Sequence, residues 1–425
     1  MNNQNINRRN FIKTASLITT GSLFSSGKLT SSEKIIPSNI LKEDSVCVNN
    51  IENKIAIILK TKLVSKEPGK YFITERKIDQ NGHQVASQEV LEPNRYLGWP
   101  TIGKTNNGEL LIVYSGDRDS HVCPWGKTHM IRSKDNGETW SEPEEINNTP
   151  LDDRDAGIIQ TSKNTILVSW FTSLAYASPT WKWAYQKYNR IAEKIPDALK
   201  KEWLGNWVRR SLDGGRTWEE PTRTLVTAPH GPIQLSDGRL FYLGTGSWNG
   251  IYSVVAEESR DDGISWKVIS AVPPFEDKTA GFSEPHVVEL KSGKLLAMIR
   301  YEPKDSSGSY LMQTESNDGG KNWTNPHKTP MWGYPPHLIE LNNGWVLVVY
   351  GHRRDKYSER ACISKDEGKT WDIENEIILA EAFNGDLGYP SSVQLEDDSI
   401  LTVYYQQENK GEPTSIFMTH WKLKR

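Results

Sequence analysis

Ten residues with chemically capable side chains fall at matching places in this 425-residue chain, each close to the start of a short apolar run. They are Trp99, Arg154, Asp155, His230, Glu284, His286, Tyr334, His337, Asp386 and Tyr389. Carboxylates, imidazoles and phenols move protons or attack electrophiles, and guanidinium groups hold anions. Any one of these alone is more often a satisfied structural group. Their convergence on one axis points to a site, although a solvated channel also needs polar walls. Two clusters have a plainer reading beside a sharper one. Asp152-Asp153-Arg154-Asp155 can bind a metal or hydroxyl groups, or can pair with itself as a salt-bridged turn, and the turn is the expectation. His230, His286 and His337 permit a shared metal by spacing, but nothing local supports it, so no metal and no cofactor are expected.

The elements that must position these groups are repeats. The octet Ser133–Trp140 (SKDNGETW) returns at Ser211–Trp218, Ser259–Trp266, Ser316–Trp323 and Ser364–Trp371, with Ser, Asp, Gly and Trp at fixed offsets. That pattern suits a tight turn: the Asp bonds nearby backbone N–H groups, the Gly supplies a left-handed backbone angle, and the Trp folds back between neighbouring repeats. A second repeat spans Pro100–Tyr114, Ala156–Trp170, His230–Leu243, Pro285–Ile299, Pro336–Tyr350 and Pro390–Tyr404. Each copy reads as strand, polar turn and strand. Six such hairpins, five of them followed by an octet, predict an all-β six-bladed β-propeller. The sixth blade takes Ser415–Lys422 as its third strand, and Ile51–Ser65 is expected to supply its fourth and close the ring.

In this topology the octets turn at one face and the functional mouth lies at the other. The mouth is then built from 115–128, 172–206, 244–251, 301–309, 351–360 and 406–413, together with the residues just before each inner strand. One of these loops is unusual. The first two octets are 78 residues apart, against 48, 57 and 48 for the rest. The excess, 176–207, holds Trp181, Trp183, Tyr185, Tyr188, Trp203 and Trp207, with helical character over Ala184–Lys201. These aromatics either pack the excursion onto its blade or form a wall on which a ring can stack.

Composition sets outer limits. With 36% hydrophobic residues, 16 Trp and 16 Tyr, the chain can bury a large core. A net charge of −3 gives no general attraction to nucleic acid or an anionic membrane, so an acidic ligand would need local Arg. No apolar run is long enough for a spanning helix. Cys47, Cys123 and Cys362 are scattered and odd in number, which indicates buried thiols rather than a disulfide framework. Residues 1–30, opening with Asn7-Arg8-Arg9-Asn10-Phe11-Ile12-Lys13, look like a twin-arginine export signal, and 31–50 read as linker. A periplasmic or extracellular location is therefore expected, with the propeller over 51–425.

The octet resembles the Asp-box, or BNR repeat, of the sialidase superfamily, where it is a structural device. From roughly Asn94 to Trp421 the chain is similar to bacterial exo-sialidases. Glu284–Arg300 (EPHVVELKSGKLLAMIR) looks like their segment with a buried Glu and a substrate-binding Arg. Gly388-Tyr389-Pro390-Ser391-Ser392 resembles their catalytic Tyr segment, and His230–Leu243 their third-blade segment. The resemblance implies a retaining exo-glycoside hydrolase acting on a terminal acidic sugar of a glycan. A sialic-acid-like sugar carries a carboxylate on its anomeric carbon, so a neutral Tyr is the suitable nucleophile, provided a Glu takes its proton. Tyr389 is then nucleophile, Glu284 its base, and Asp119 the acid, with His121 behind it. Arg300 and Arg353 or Arg354 clamp the carboxylate, and Arg95, Arg154, Asp155 and His121 complete the expected substrate contacts. One departure stands out: sialidases place an Arg two residues before the first-blade Pro, and Gly98 occupies that place here. Arg95, Arg118 or Arg154 stand near enough in sequence to replace it.

Two other functions remain open at this level. A hydrolase or lyase for another acidic sugar, uronic or ulosonic, would use the same arginines, with Tyr389 or His337 as base and acid in a lyase. A non-catalytic propeller would bind glycan or protein with no role for Tyr389.

Overall fold

The computed structural model describes residues 51–72, 76–78, 84–86, 89–178 and 186–424. The twin-arginine-type segment 1–30, the linker 31–50, Cys47 and the aromatics Trp181, Trp183 and Tyr185 lie outside these residues. Six antiparallel sheets follow one another along the chain as the blades of a β-propeller. Their innermost hairpins are Glu89–Lys104 with Leu110–Arg118, Asp152–Gln160 with Ile166–Ser173, and Ile233–Gln234 with Leu240–Trp248. Blades four to six continue with Gly281–Glu289 and Leu295–Glu302, Pro336–Glu340 and Val346–His352, and Gly388–Gln394 and Ile400–Gln407.

The ring closes as expected. Ala56–Ser65 is the outer strand of blade six, antiparallel to Thr414–Leu423, with Ala56 opposite Leu423 and Leu63 opposite Phe417. The strand begins five residues later than the apolar run suggests. Just ahead of it the Asn53 amide accepts the Ile378 N–H and donates to the Ile378 carbonyl, both at 2.9 Å, which ties that segment to blade five instead. Blade one carries an additional strand, Glu67–Phe72, paired with the first half of Glu89–Lys104. Nothing in the repeat pattern marks that segment as a strand.

Each octet sits between the third and fourth strands of its blade, and all five make the same bonds. In the first, Ser133 Oγ donates to Asp135 Oδ1 (2.7 Å) and accepts the Gly137 N–H (2.8 Å), while Asp135 Oδ1 accepts the Thr139 N–H (2.9 Å). The Trp then plugs the seam with the preceding blade. Trp140 packs where blades six and one meet, Trp218 between one and two, Trp266 between two and three, Trp323 between three and four, and Trp371 between four and five. Blade six has no octet, and the fully buried Trp421 from its third strand fills the remaining seam. Blades are also stapled at the octet face. Gln160, Gln234, Glu289, Glu340 and Gln394 each accept a backbone N–H from the preceding blade's inner turn, at 2.6–2.8 Å.

The octets make stability depend on acid. Hydrogen bonds from Thr139 hold Asp135 at about 2, those from Asn322 hold Asp318 at about 2, and Asp213 is lowered likewise by Thr217. At Asp261 and Asp366 burial works upward, but the same kind of bonds outweigh it. A carboxyl depressed on folding stabilises the fold above its unfolded value, about 3.9, and that contribution is lost as pH falls through the folded value. The melting temperature should therefore fall steadily as pH drops from about 4 to about 2. A flat profile over that window would mean the octets add nothing to stability.

Candidate active site

Five residues at the starts of inner strands share one backbone device, which brings four of them to the mouth and His230 to the central cavity. Trp99 (φ 54°), Asp155 (50°), His230 (68°), Glu284 (52°) and Tyr389 (51°) all adopt the left-handed conformation. At four of them the ladder slips, with breaks between Gly98 and Thr101, Ser283 and His286, and Gly388 and Ser391, and on the strand facing Asp155. A bulge of this kind re-aims one residue out of the strand's alternation. A bulky residue held there costs ~1–3 kcal/mol, and such strain gathers at functional sites. The device was visible in sequence as the Pro or Ala that follows four of the five.

Two of these residues meet. Tyr389 Oη donates to Glu284 Oε1 at 2.6 Å. Glu284 Oε2 accepts from Arg300 Nη1 at 2.7 Å, and Arg300 Nη2 donates to Glu302 Oε1 at 2.8 Å. All four are almost wholly buried or nearly so. Burial first, then the charges of Glu284 and Asp155, push the Tyr389 phenol well above its ordinary range, while Arg300 and Arg353 pull the other way. The phenol is thus neutral at rest, and it can attack only if its proton passes to Glu284 as the new bond forms.

The arginines separate into two groups. Arg353 joins the pair: its guanidinium lies 5.6 Å from the Tyr389 ring and 5.3 Å from the Tyr334 ring, to which Arg300 also lies close, at 4.1 Å. Among the described residues Arg353 has no ion-pair partner, only a 3.4 Å bond to Tyr405 Oη, and its Nε is unbonded. Arg354 points elsewhere, over Trp332 and onto His352 Nε2. Arg95 is buried in contact with the side chain of Asp117, donates to its carbonyl, and lies 3.6 Å from Asp119. Arg118 is fully buried in a two-pronged pair with Asp152 at 2.6 and 3.1 Å. Neither of these can replace an arginine at Gly98, and a Cβ there would sit 3.1 Å from the Tyr96 ring. Arg154 does reach the mouth, stacked 4.2 Å over Trp99 with Arg118 at 4.6 Å from the same ring. The run 152–155 is therefore neither purely a turn nor a metal site: Asp152 anchors Arg118, and Arg154 and Asp155 face the mouth.

The first-blade loop places its two candidate acids differently. Asp119 is buried, with Oδ2 accepting from Trp125 Nε1 (2.8 Å) and Tyr188 Oη (2.9 Å). Tyr188 docks the aromatic excursion onto blade one through this bond, and Trp125 of the same first-blade loop packs beside it. His121 stands at the mouth instead, edge-on to Trp99 at 5.0 Å, with Nδ1 2.7 Å from Tyr96 Oη and 3.2 Å from Asp386 Oδ1. Tyr405 Oη also donates to Asp386 Oδ1, at 3.1 Å. Tyr96 and Tyr405 were missed from sequence. Tyr405 had a signal, since it follows Tyr389 by the same interval at which Arg300 follows Glu284, and the two occupy equivalent rungs opposite Gly388 and Ser283.

Asp155 shares a small pocket with Glu284, Phe171 and Thr227, its Oδ1 unbonded among the described residues, and burial pushes its carboxyl up to about 7. His230, His286 and His337 line a separate central cavity of about 500 Å³ that runs toward the octet face. Their rings lie 4.3–5.7 Å apart. The Leu338 and Ser392 N–H groups donate to Nδ1 of His286 and His337, which assigns each ring's own proton to Nε2 and removes the lone pair a metal needs. Among the described residues no group of three His, Cys, Asp or Glu is placed to hold a metal ion. The described aromatics of the excursion pack. Tyr176 and Tyr188 sit with Val122 and Trp125, and Trp207 stacks on Trp170 and against Trp203. Cys123 and Cys362 are buried free thiols, and no helix among the described residues is long and apolar enough to cross a membrane.

Residues 191–403 match the family model of the BNR repeat-like domain. A sialidase of Bacteroides fragilis is 24% identical over 341 residues, covering 72% of this chain; the chain spans 59% of that relative's length. Among solved structures, a protein of unknown function from Dyadobacter fermentans superposes with a TM-score of 0.67 at 23% identity, covering 87% of this chain and 99% of that one. A Hadza microbial sialidase superposes at 0.55 with 19% identity, covering 80% and 70%. At these identities the superpositions bear on the fold alone.

Proposed function

The chain belongs to the BNR repeat-like domain family, within the sialidase superfamily, and from that premise we propose that it is a retaining exo-glycoside hydrolase cleaving a terminal acidic sugar from glycans. One observation carries the reading: Tyr389 Oη bonded to Glu284 Oε1 at 2.6 Å, beside an Arg353 that has no ion pair among the described residues. An unpaired guanidinium beside a nucleophile is unfavourable unless an anion completes it, and a planar fork suits a carboxylate. Tyr389 Oη attacks the anomeric carbon as its proton passes to Glu284 Oε1. The bond to the leaving oxygen breaks with its electron pair, and that oxygen takes up a proton. Water then displaces Tyr389, which recovers its proton from Glu284, while the proton shed by the water replaces the one that the leaving oxygen took, so two inversions retain configuration.

The sugar is open to a second reading, because the mouth offers Arg300 and Arg353 where sialidases have three arginines. Tyr96 fills the space at Gly98, and the Trp99–Arg154 stack supplies a flat wall with one flanking charge. Another acidic sugar would fit such a site. A lyase acting on it would rely on Tyr389, since His337 belongs to the central cavity.

The test is release of fluorophore from the 4-methylumbelliferyl glycoside of N-acetylneuraminic acid, with proton NMR of the first anomer formed. Turnover with retention is expected. Inversion, or an unsaturated product absorbing in the ultraviolet from a uronate polysaccharide, would overturn the hydrolase reading.

A further inference from the structure

We propose that His121, held by Asp386, protonates the leaving oxygen and then activates the incoming water, the part that Asp119 is too deeply committed to play. The inference rests on the hydrolase reading and deepens it.

Asp386 Oδ1 collects Tyr96 Oη at 2.9 Å, Tyr405 Oη at 3.1 Å and His121 Nδ1 at 3.2 Å. Tyr96 spends its one proton on Asp386, so at 2.7 Å from His121 its oxygen can only accept. Both contacts therefore place the proton of the resting ring on Nδ1 and leave Nε2 as the working nitrogen. This is the arrangement by which a carboxylate fixes an imidazole's tautomer and steadies its charged form. Among the described residues Nε2 has no hydrogen-bond partner, and the His121 side chain is 31% exposed, so the nitrogen is open to a ligand. The ring is one aromatic layer from the nucleophile. Trp99 lies 5.0 Å from His121 and 6.2 Å from Tyr389, and Tyr405 lies 6.0 Å from Tyr389. A sugar resting on that layer would have Tyr389 on one side and His121 on the other.

In the first step imidazolium Nε2–H gives its proton to the glycosidic oxygen, which leaves with the electron pair of the broken bond. In the second, neutral Nε2 takes a proton from water as the water oxygen bonds to the anomeric carbon. The imidazolium is restored, so the proton count closes over one cycle. Burial lowers the His121 pKa, Asp386 raises it, and Arg154 and Arg353 lower it, with a net value below the ordinary one. The charged form is then a stronger acid than an ordinary imidazolium. Asp386, Tyr96 and Tyr405 touch no reacting atom and are positioning residues.

The experiment compares two substrates that differ in leaving group, the 4-methylumbelliferyl sialoside and sialyllactose. A phenolate departs with little help, whereas a sugar alkoxide needs an acid, a contribution of typically 10²–10⁴-fold. His121→Ala should lose roughly 10²-fold or more in kcat/KM on sialyllactose and less than about 10-fold on the aryl glycoside. Asp386→Asn should move the basic limb of the sialyllactose pH profile to lower pH, because the group that raises the His121 pKa is gone. Equal losses on both substrates, or an unmoved limb, overturn the dyad alone. Wild-type protein that cleaves neither substrate overturns sialic acid as the sugar, and with it the dyad as argued on these substrates, while the hydrolase reading is then decided on a uronic or ulosonic acid glycoside.

Discussion

Tyr389→Phe is expected to lower kcat by about 10³-fold or more, close to 4 kcal/mol of transition-state stabilisation, while the protein stays folded. The substitution keeps the ring that touches Trp99, Tyr405 and Arg353 and removes only the oxygen. Glu284 Oε1 loses its donor, which costs ~1–3 kcal/mol if no water replaces it. The melting temperature should therefore fall modestly and the activity steeply. KM should change little, because the arginines that hold the carboxylate are intact. Activity within about tenfold of wild type would remove Tyr389 from the chemistry and favour a propeller that binds without cleaving.

Arg300→Met is expected to damage stability and activity together. Arg300 stands between the buried Glu284 and the partly buried Glu302, with contacts of 2.7 and 2.8 Å, and stacks on Tyr334. Its removal takes from both carboxylates the counter-charge that it supplies, and breaking a buried pair this way costs about 3–5 kcal/mol. On the hydrolase reading kcat/KM should also drop by roughly 10²-fold or more, since one arm of the carboxylate clamp is lost. A double variant separates the effects. Arg300→Met with Glu302→Gln should recover part of the melting temperature, because one stranded charge is gone, and none of the activity. Recovery of both would assign Arg300 to structure alone.

The parts of this molecule legible in sequence are those whose physics is local. An octet closes its own hydrogen bonds within eight residues, so Ser, Asp, Gly and Trp at fixed offsets sufficed to place five turns and, by counting, six blades. The mouth residues Glu284 and Tyr389 were marked by the proline after each. What was not legible depended on distant partners. Asp119 and His121 are two residues apart in one loop. Which of them faces the mouth is decided by Tyr188, from the excursion of blade two, and by Asp386, from just before blade six. Arg353 and Arg354 are adjacent, and Trp332 of the neighbouring blade draws Arg354 away. Arg95 and Arg118 looked available near Gly98 until Asp117 and Asp152 were seen to hold them.

The central claim is that Tyr389 becomes covalently bonded to the sugar. The most direct measurement is intact-mass and peptide analysis after incubation with an N-acetylneuraminic acid derivative carrying fluorine at C2 and C3. Fluoride leaves readily from C2, while the fluorine at C3 slows hydrolysis of the product. A mass increase of one glycosyl unit, mapped to Tyr389 and absent from Tyr389→Phe, is the predicted result. An enzyme that turns over the aryl sialoside yet forms no adduct, or forms one on another residue, would contradict the account.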